Sequence, residues 1–459
     1  MIIGTKTCLR FRVKYVQIFK LIILFPLIVF SYDGELIRLS IDNNQNINKV
    51  LSDKLSEDIN PTAYFKLEDI DQKKRYVEYK KYYLKKSLDT LIISSTQPLS
   101  KNFLNNFKST LIDLPIGKKF ERESNKLNQR YEFLDRPPHI SFGKIDKNTF
   151  GGLVFIDPQF ENYFSGVLGL GRNNDRLSFN GEINIHVENI IERAGSYELF
   201  WKKIDSLSQK ISMKIAQPHL PFLNLGIYWN FEHELFPKFY SLNTNEIRAQ
   251  YYHSYFNNLG VGYTYSVTMP TDKGLLLGYQ EVNSKSITLT LNNKTIDNRV
   301  LPREGFQYEL KVNSGIQNNS NFIESRFDIE SYYPVYNQYN LKLSSKSRMI
   351  WSNASIPKSR YVFFGGLSNL RGYNENQFSS IDYQIISIDF GINRFNNFRS
   401  SIFVDQAFTF KNNSNFRKTS LGIGVVQIND KSIIEIQYGM PINESVSNGK
   451  VHIKFISKF

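Results

Sequence analysis

From residue 163 onward the chain alternates between apolar and polar positions. Segments of about ten residues recur between clusters of Asn, Asp, Gly, Ser and Pro, and this period of two predicts β-strands with each face in a different environment. Sixteen such segments can be read, from "FSGVLGLG" through "SITLTLNN" and "DYQIISIDFGINRF" to "KVHIKFISKF". An even number of strands fits an antiparallel barrel, and a tilted strand needs about 9–11 residues to cross a bilayer. In the last segment Val451, Ile453, Phe455 and Phe459 share one face, while His452, Lys454 and Lys458 share the other. A lipid side and a polar lumen would sort residues in this way.

Before residue 163 the pattern differs. "ELIRLSID" reads as a strand, "NINKVLSDKLSED" as a short helix, and "KKRYVEYKKYYLKKS" as an exposed strand whose charges form a solvated face. "LDTLIISS" is a strand, and Phe103, Leu104, Phe107 and Leu111 then fall at helical spacing. "LPIG" breaks that helix, and Phe120, Leu127, Tyr131 and Leu134 mark one face of a second helix over "KKFERESNKLNQRYEFLD". "PHISFGKID" and "TFGGLVFIDP" complete a strand–helix–helix–strand–strand unit, enough for helices packed on a small sheet. The expected division is a leader over 1–31, a periplasmic region over 32–87, a small domain over 88–160 and the barrel over 163–459.

The leader reading rests on Lys6, Arg10, Arg12, Lys14 and Lys20 ahead of the apolar run "LIILFPLIVF", with Val29 and Ser31 at a cleavage-site spacing. The run is short for a spanning helix, which needs about 20 residues; an uncleaved anchor is the alternative. The five leader cations account for part of the net charge of +14, and the rest is spread along the chain, which argues against nucleic acid. The single cysteine, Cys8, lies in the leader, so no disulfide is expected in the exported protein. Aromatics make up 14% of the chain while the mean hydropathy is −0.36, a combination that suits a barrel with a polar lumen.

Composition also permits a secreted β-sandwich or propeller. The six histidines are scattered, so no metal site is expected and no cofactor is implied. "GVLGLG" has the wrong order for a dinucleotide loop, and its glycines read as a flexible first barrel strand. Glu232 and Glu234 in "FEHELF" are expected in a loop. No hydrolytic constellation stands out, and none of the readings makes the protein an enzyme.

Three stretches resemble the BamA/TamA superfamily. The 88–158 unit, with "LPIGKKF" and "LNQRYEFLD", is similar to a POTRA domain. "FENYFSGVLGLG" resembles the passage from the last POTRA strand into the first barrel strand. "FFGGLSNLRGY" (Gly365, Gly366, Leu370, Arg371, Gly372 and Tyr373) looks like the family's signature loop between the eleventh and twelfth strands. The closing strand and its C-terminal Phe459 are also similar.

The resemblance implies that the loop folds into the lumen and that Arg371 pairs with an inner-wall acid, which the matching position makes Asp405. An arginine fork suits a carboxylate, and a charge on the lipid face would be costly. Without the resemblance an exposed loop is the simpler reading. The resemblance further implies a seam between the first strand (Gly166, Gly169, Gly171) and the last (Phe455, Phe459).

The expected function is assembly or insertion of outer-membrane proteins of a Gram-negative bacterium. Its partners would be membrane lipid, unfolded barrel clients, and periplasmic or lipoprotein subunits. The rivals are a two-partner secretion pore of the same superfamily passing one secreted protein, a passive porin-like barrel, and a soluble secreted β-protein. The best-known assembly factor of the family has five POTRA domains; this chain has room for one clear copy, with 32–87 a shortened second. No G-x-S-x-G elbow marks the patatin-fused branch.

Overall fold

A computed structural model describes residues 36–458, apart from 41–46, 58–62, 72, 74, 84–86, 113, 132, 135–137, 146–148, 174–175, 204–207, 221–222, 224, 254–256, 300, 367–368, 395–396, 411–415 and 430. The leader and Phe459 lie outside the described residues. The chain forms two compact units, Met1–Leu84 and Lys85–Phe459.

In the first unit, Tyr76–Tyr83 is the central strand of an antiparallel sheet flanked by Leu36–Ser40 and Ala63–Asp71, with a helix at Ile47–Ser56. Val77 is its one buried large apolar side chain among the described residues. The sheet relies instead on cross-strand pairs: Tyr64 stacks on Tyr82 at 5.9 Å, and Arg38 bonds Glu78 at 2.7 Å.

The second unit opens with a small α/β domain. Strands Thr90–Ser95 and Phe150–Ile156 run parallel, and His139–Lys144 lies antiparallel on the other side of Phe150–Ile156. Ser100 caps the helix Lys101–Ile112, its hydroxyl accepting from the Phe103 N–H at 3.3 Å. Phe103, Phe107 and Leu111 form the buried stripe of that helix. Pro115 disfavours helix in the preceding residue, and Gly117 starts the next helix from a φ of 141° that favours glycine.

The predicted second helix is shorter than its pattern. It runs over Lys118–Asn125, followed by one turn at Leu127–Arg130, and Tyr131 is extended. Phe120, Leu127, Tyr131 and Leu134 are all buried, so the spacing marked the core while the backbone changed under it. The reason is tertiary. Tyr131 leaves the helix to bond His219, in the turn between the fourth and fifth barrel strands, at 2.5 Å.

The barrel closes with sixteen strands among the described residues, every neighbour antiparallel, from Tyr163–Asn173 to Lys450–Lys458. Alternation sorts the faces. Outward positions include Val261, Ile287, Ile388, Ile402, Ile423 and Ile453, whereas Thr264, Ser266, Ser286, Thr288 and Thr290 are buried against the lumen. The reading of Glu232 and Glu234 as loop residues is overturned. Both lie in the fifth strand, Gly226–Phe236, and Lys210 on the fourth bonds them at 2.9 and 3.0 Å. A carboxylate pair inside a polar barrel needs a cation rather than a loop, and the neighbouring strand supplies it.

The small domain is fixed against one end of the barrel. Besides the Tyr131–His219 bond, the Ser100 N–H donates to Glu192 O at 2.6 Å and Asn189 Nδ2 donates to Pro98 O at 3.1 Å. Tyr131 also packs on Tyr252 with ring centres 5.9 Å apart. Burial lowers the His219 imidazole to about 4, with Arg130 adding to the effect, so the ring that shares a hydrogen bond with the Tyr131 hydroxyl is neutral.

Candidate functional site: the lumenal loop and the barrel seam

Residues 353–381 join the eleventh strand, Tyr339–Ser352, to the twelfth, Asp382–Arg394, at the end far from the small domain. The loop returns into the lumen as a short hairpin, Val362–Phe364 paired with Phe378–Ser380. Its tip is shaped by glycines at positive φ. Gly365 (120°) and Gly366 (91°) turn the chain, and the Gly366 N–H donates to Leu370 O at 3.0 Å. Gly372 (87°) lies on Gly439 of the fifteenth strand, Ser432–Pro441; a Cβ there would stand 2.9 Å from the Gly439 carbonyl carbon.

This close approach delivers Arg371 to the wall. Its backbone N–H and Nε donate to Asp405 Oδ2 at 3.1 and 2.8 Å, and Nη2 reaches Asp405 Oδ1 at 2.5 Å. Asp405, on the thirteenth strand Phe398–Phe408, is fully buried and points inward, with Ile402 and Val404 on the opposite, exposed face. The guanidinium lies over the Phe403 ring, 3.5 Å from its centre. Leu370 and Tyr373 seal the tip in a cluster with Phe364, Tyr383, Ile385 and Ala407, and the Tyr373 hydroxyl donates to Thr419 O at 3.3 Å.

Two further groups were not anticipated from the sequence. Asp389 on the twelfth strand takes Arg371 Nη1 at 2.8 Å, so the cation is shared between two acids. Its signal was legible: in "ISIDF" the apolar Ile386, Ile388 and Phe390 claim the outer face, which leaves Ser387 and Asp389 inside. Arg360 is a second tether, donating to Glu324 at 2.9 Å and to the Ser266 hydroxyl at 3.2 Å. Glu375 meets Lys202 at 3.4 Å. The loop thus touches walls on several sides of the lumen. At the domain end, Asn340 donates to Pro302 O at 3.3 Å, which draws the turn between the eighth and ninth strands inward.

The first and last strands meet only briefly. Tyr163, Phe164 and Ser165 pair with Lys458, Ser457 and Ile456, whereas the whole of Tyr163–Asn173 pairs with the second strand. Gly166, Gly169 and Gly171 all lie beyond the three pairs, on an edge that faces no partner strand among the described residues. Phe455 points outward and is exposed. Among the described residues no group of His, Cys, Asp and Glu is placed to hold a metal ion.

Residues 152–456 match the Omp85 superfamily domain. The chain belongs to the Omp85 superfamily. Its fold is similar to that of CdiB from Escherichia coli (TM-score 0.62, 11% identity, covering 95% of this chain and 93% of that one). It is also similar to CdiB from Acinetobacter baumannii (0.58, 12%, 90% and 81%). A third likeness is to BamA from Haemophilus ducreyi lacking POTRA domains 1–3 (0.53, 12%, 91% and 94%). No curated protein sequence matches the chain. As an Omp85 barrel the protein is an outer-membrane protein of the transport and insertion class. A loop tethered to Glu324, Asp405 and Lys202 crosses its lumen.

Proposed function

We propose that this Omp85 protein inserts or assembles β-barrel proteins in the outer membrane, binding unfolded clients at the seam between its first and last strands. The observation that carries the reading is the three-residue contact between those strands. The unpaired backbone of Gly166–Asn173 and its counterpart on the last strand cannot remain bare in lipid, where each unsatisfied group costs several kcal/mol. A client strand would satisfy it by adding to the edge. Glycine at 166, 169 and 171 leaves little side-chain packing to hold the edge closed.

The small domain of 88–160 acts in this reading as a periplasmic POTRA domain, and 32–87 as a shortened second. Its strand–helix–helix–strand–strand order supports this, as does the likeness to BamA over 91% of this chain, more than the barrel alone supplies. The long loop at 353–381 then lies at the extracellular end. No bond is made or broken in this mechanism, and no cofactor takes part.

Depletion of the protein, followed by quantitative proteomics of the outer membrane and the medium, tests the proposal. Loss of many barrel proteins from the membrane is the expected outcome. Loss of one or two secreted proteins with barrels unchanged would make it a secretion pore instead.

A further inference from the structure

The most exposed large apolar side chain given by the structure is Leu276, at 88%. It belongs to a run of three, Leu275, Leu276 and Leu277, in and just after the short helix Asp272–Leu276. That helix joins the seventh strand, Asn257–Pro270, to the eighth, Val282–Lys294, at the end away from the small domain. Thr271 caps it, accepting from the Gly274 N–H at 3.0 Å.

The helix is held in one orientation. Gly274 is buried against the backbone of Phe239, at the tip of the neighbouring hairpin, with no room for a Cβ. Tyr279 packs on Phe239 and Tyr240 with ring centres 5.4 and 5.3 Å away. Leu276 is two residues past Gly274, about 200° round the helix, and therefore faces away from the hairpin tip.

The surface below the leucines is graded. On the sixth and eighth strands the outer apolar face ends at Ile247 and Ile287, both opposite Tyr263. Above that level those strands present Asn245 and Asn243 on one side and Lys285 and Asn283 on the other. Between these two neighbours the seventh strand stays apolar, through Tyr265 and Val267 to the exposed Met269, two residues short of the helix cap. A ridge one strand wide thus rises from the lipid-facing band, between polar positions on its two neighbouring strands, to three exposed leucines.

We infer that Leu275–Leu277 form a finger that inserts into the lipid surface at the outer rim of the barrel. The ridge is continuous with the face that lipid already covers. A handful of residues also falls short of the 20–30 per side that a stable protein–protein interface uses. A short apolar face flanked by charges of both signs, Asp272, Lys273 and Lys285, matches the headgroup boundary, where interfacial helices bury their apolar side about 5–10 Å deep. The assignment to the outer leaflet, though not the contact with lipid, rests on the proposed orientation.

The test uses the full chain carrying Cys8→Ser and Leu276→Cys, labelled with an environment-sensitive fluorophore. It is reconstituted in phosphatidylethanolamine–phosphatidylglycerol vesicles containing a lipid with a nitroxide at its headgroup. Val261→Cys, in the lipid-facing band, and Lys101→Cys, on the small domain, give the lipid and water references. The expected result is blue-shifted emission from position 276, quenching by the nitroxide lipid, and iodide quenching severalfold weaker than at position 101. Emission like that of position 101, with full iodide access and no lipid quenching, overturns the inference. So does a label shielded from iodide but untouched by the nitroxide lipid, which would place a protein contact there. Neither reading depends on client assembly, so failure of the proposed function leaves this result intact.

Discussion

Arg371→Ala leaves Asp405 fully buried and Asp389 nearly so, both facing a lumen position that no longer holds a cation. Removing one partner of a buried ion pair costs about 3–5 kcal/mol, most of it from the uncompensated charge left behind. Each ~1.4 kcal/mol is a factor of ten, so the balance between the inward and released loop shifts by roughly one hundred- to four thousandfold. Arg371→Lys keeps the charge but loses the fork that gives Asp405 both Nε and Nη2, and it should fall between. Arg371→Ala with Asp405→Ala removes both charges of the main pair and should cost less than the sum of the singles. The readouts are trypsin cleavage within 353–381 in intact proteoliposomes and conductance across planar bilayers, with heat-modifiable migration confirming a closed barrel. Wild-type protection and conductance in a folded Arg371→Ala barrel would refute the argument, as would strict additivity of the two single changes.

Gly372→Ala should release the same loop by sterics alone. A left-handed φ costs a non-glycine residue about 1–2 kcal/mol, and the new Cβ also meets the rigid backbone of Gly439 and Met440 at 2.9 Å. Its trypsin sensitivity should approach that of Arg371→Ala although every charge remains. Docking of the small domain should weaken in acid: the docked His219 is held near 4 against an ordinary 6.5, so the undocked ring takes up protons first. Stability from this contact is complete above pH ~6.5, declines as pH falls toward 4, and amounts to at most ~3 kcal/mol; hydrogen exchange in Lys101–Ile112 reports it, and His219→Gln should flatten the profile. A disulfide between Ser165→Cys and Ile456→Cys, which face each other across the seam, should stop client assembly until reduced. Full activity of the oxidised form would exclude seam opening.

Period-two alternation was enough to read the barrel, because one face of every strand meets lipid and the other water. It also placed the signature loop between the eleventh and twelfth strands. Asp405 needed more than alternation, since Ile402–Val404–Gln406 and Phe403–Asp405–Ala407 are both mainly apolar; the cost of a charge in lipid chose the face. Asp389 was missed even though its flanking isoleucines pointed it inward, because a single arginine was expected to take a single acid. Glu232 and Glu234 were misread because their cation, Lys210, lies on another strand and polar residues near a strand end resemble a turn. The helix at Lys118–Asn125 was overextended for a related reason: Tyr131 keeps helical spacing in sequence but answers to His219 nearly ninety positions away. The parallel pairing inside the small domain left no trace in local pattern at all.

The seam has a consequence for how the molecule itself comes to be folded. Fifteen of the barrel's strand pairings join neighbours in sequence and can form by local zippering, but the sixteenth joins the first strand to the last. Its loop-closure entropy is the largest in the barrel, and three residue pairs are all that reward it. Closure should therefore be the final and slowest step, preceded by an open curved sheet with two bare edges. Exposed edges of that kind invite pairing with other chains. During its own biogenesis the protein passes through the hazard that its proposed clients present to it.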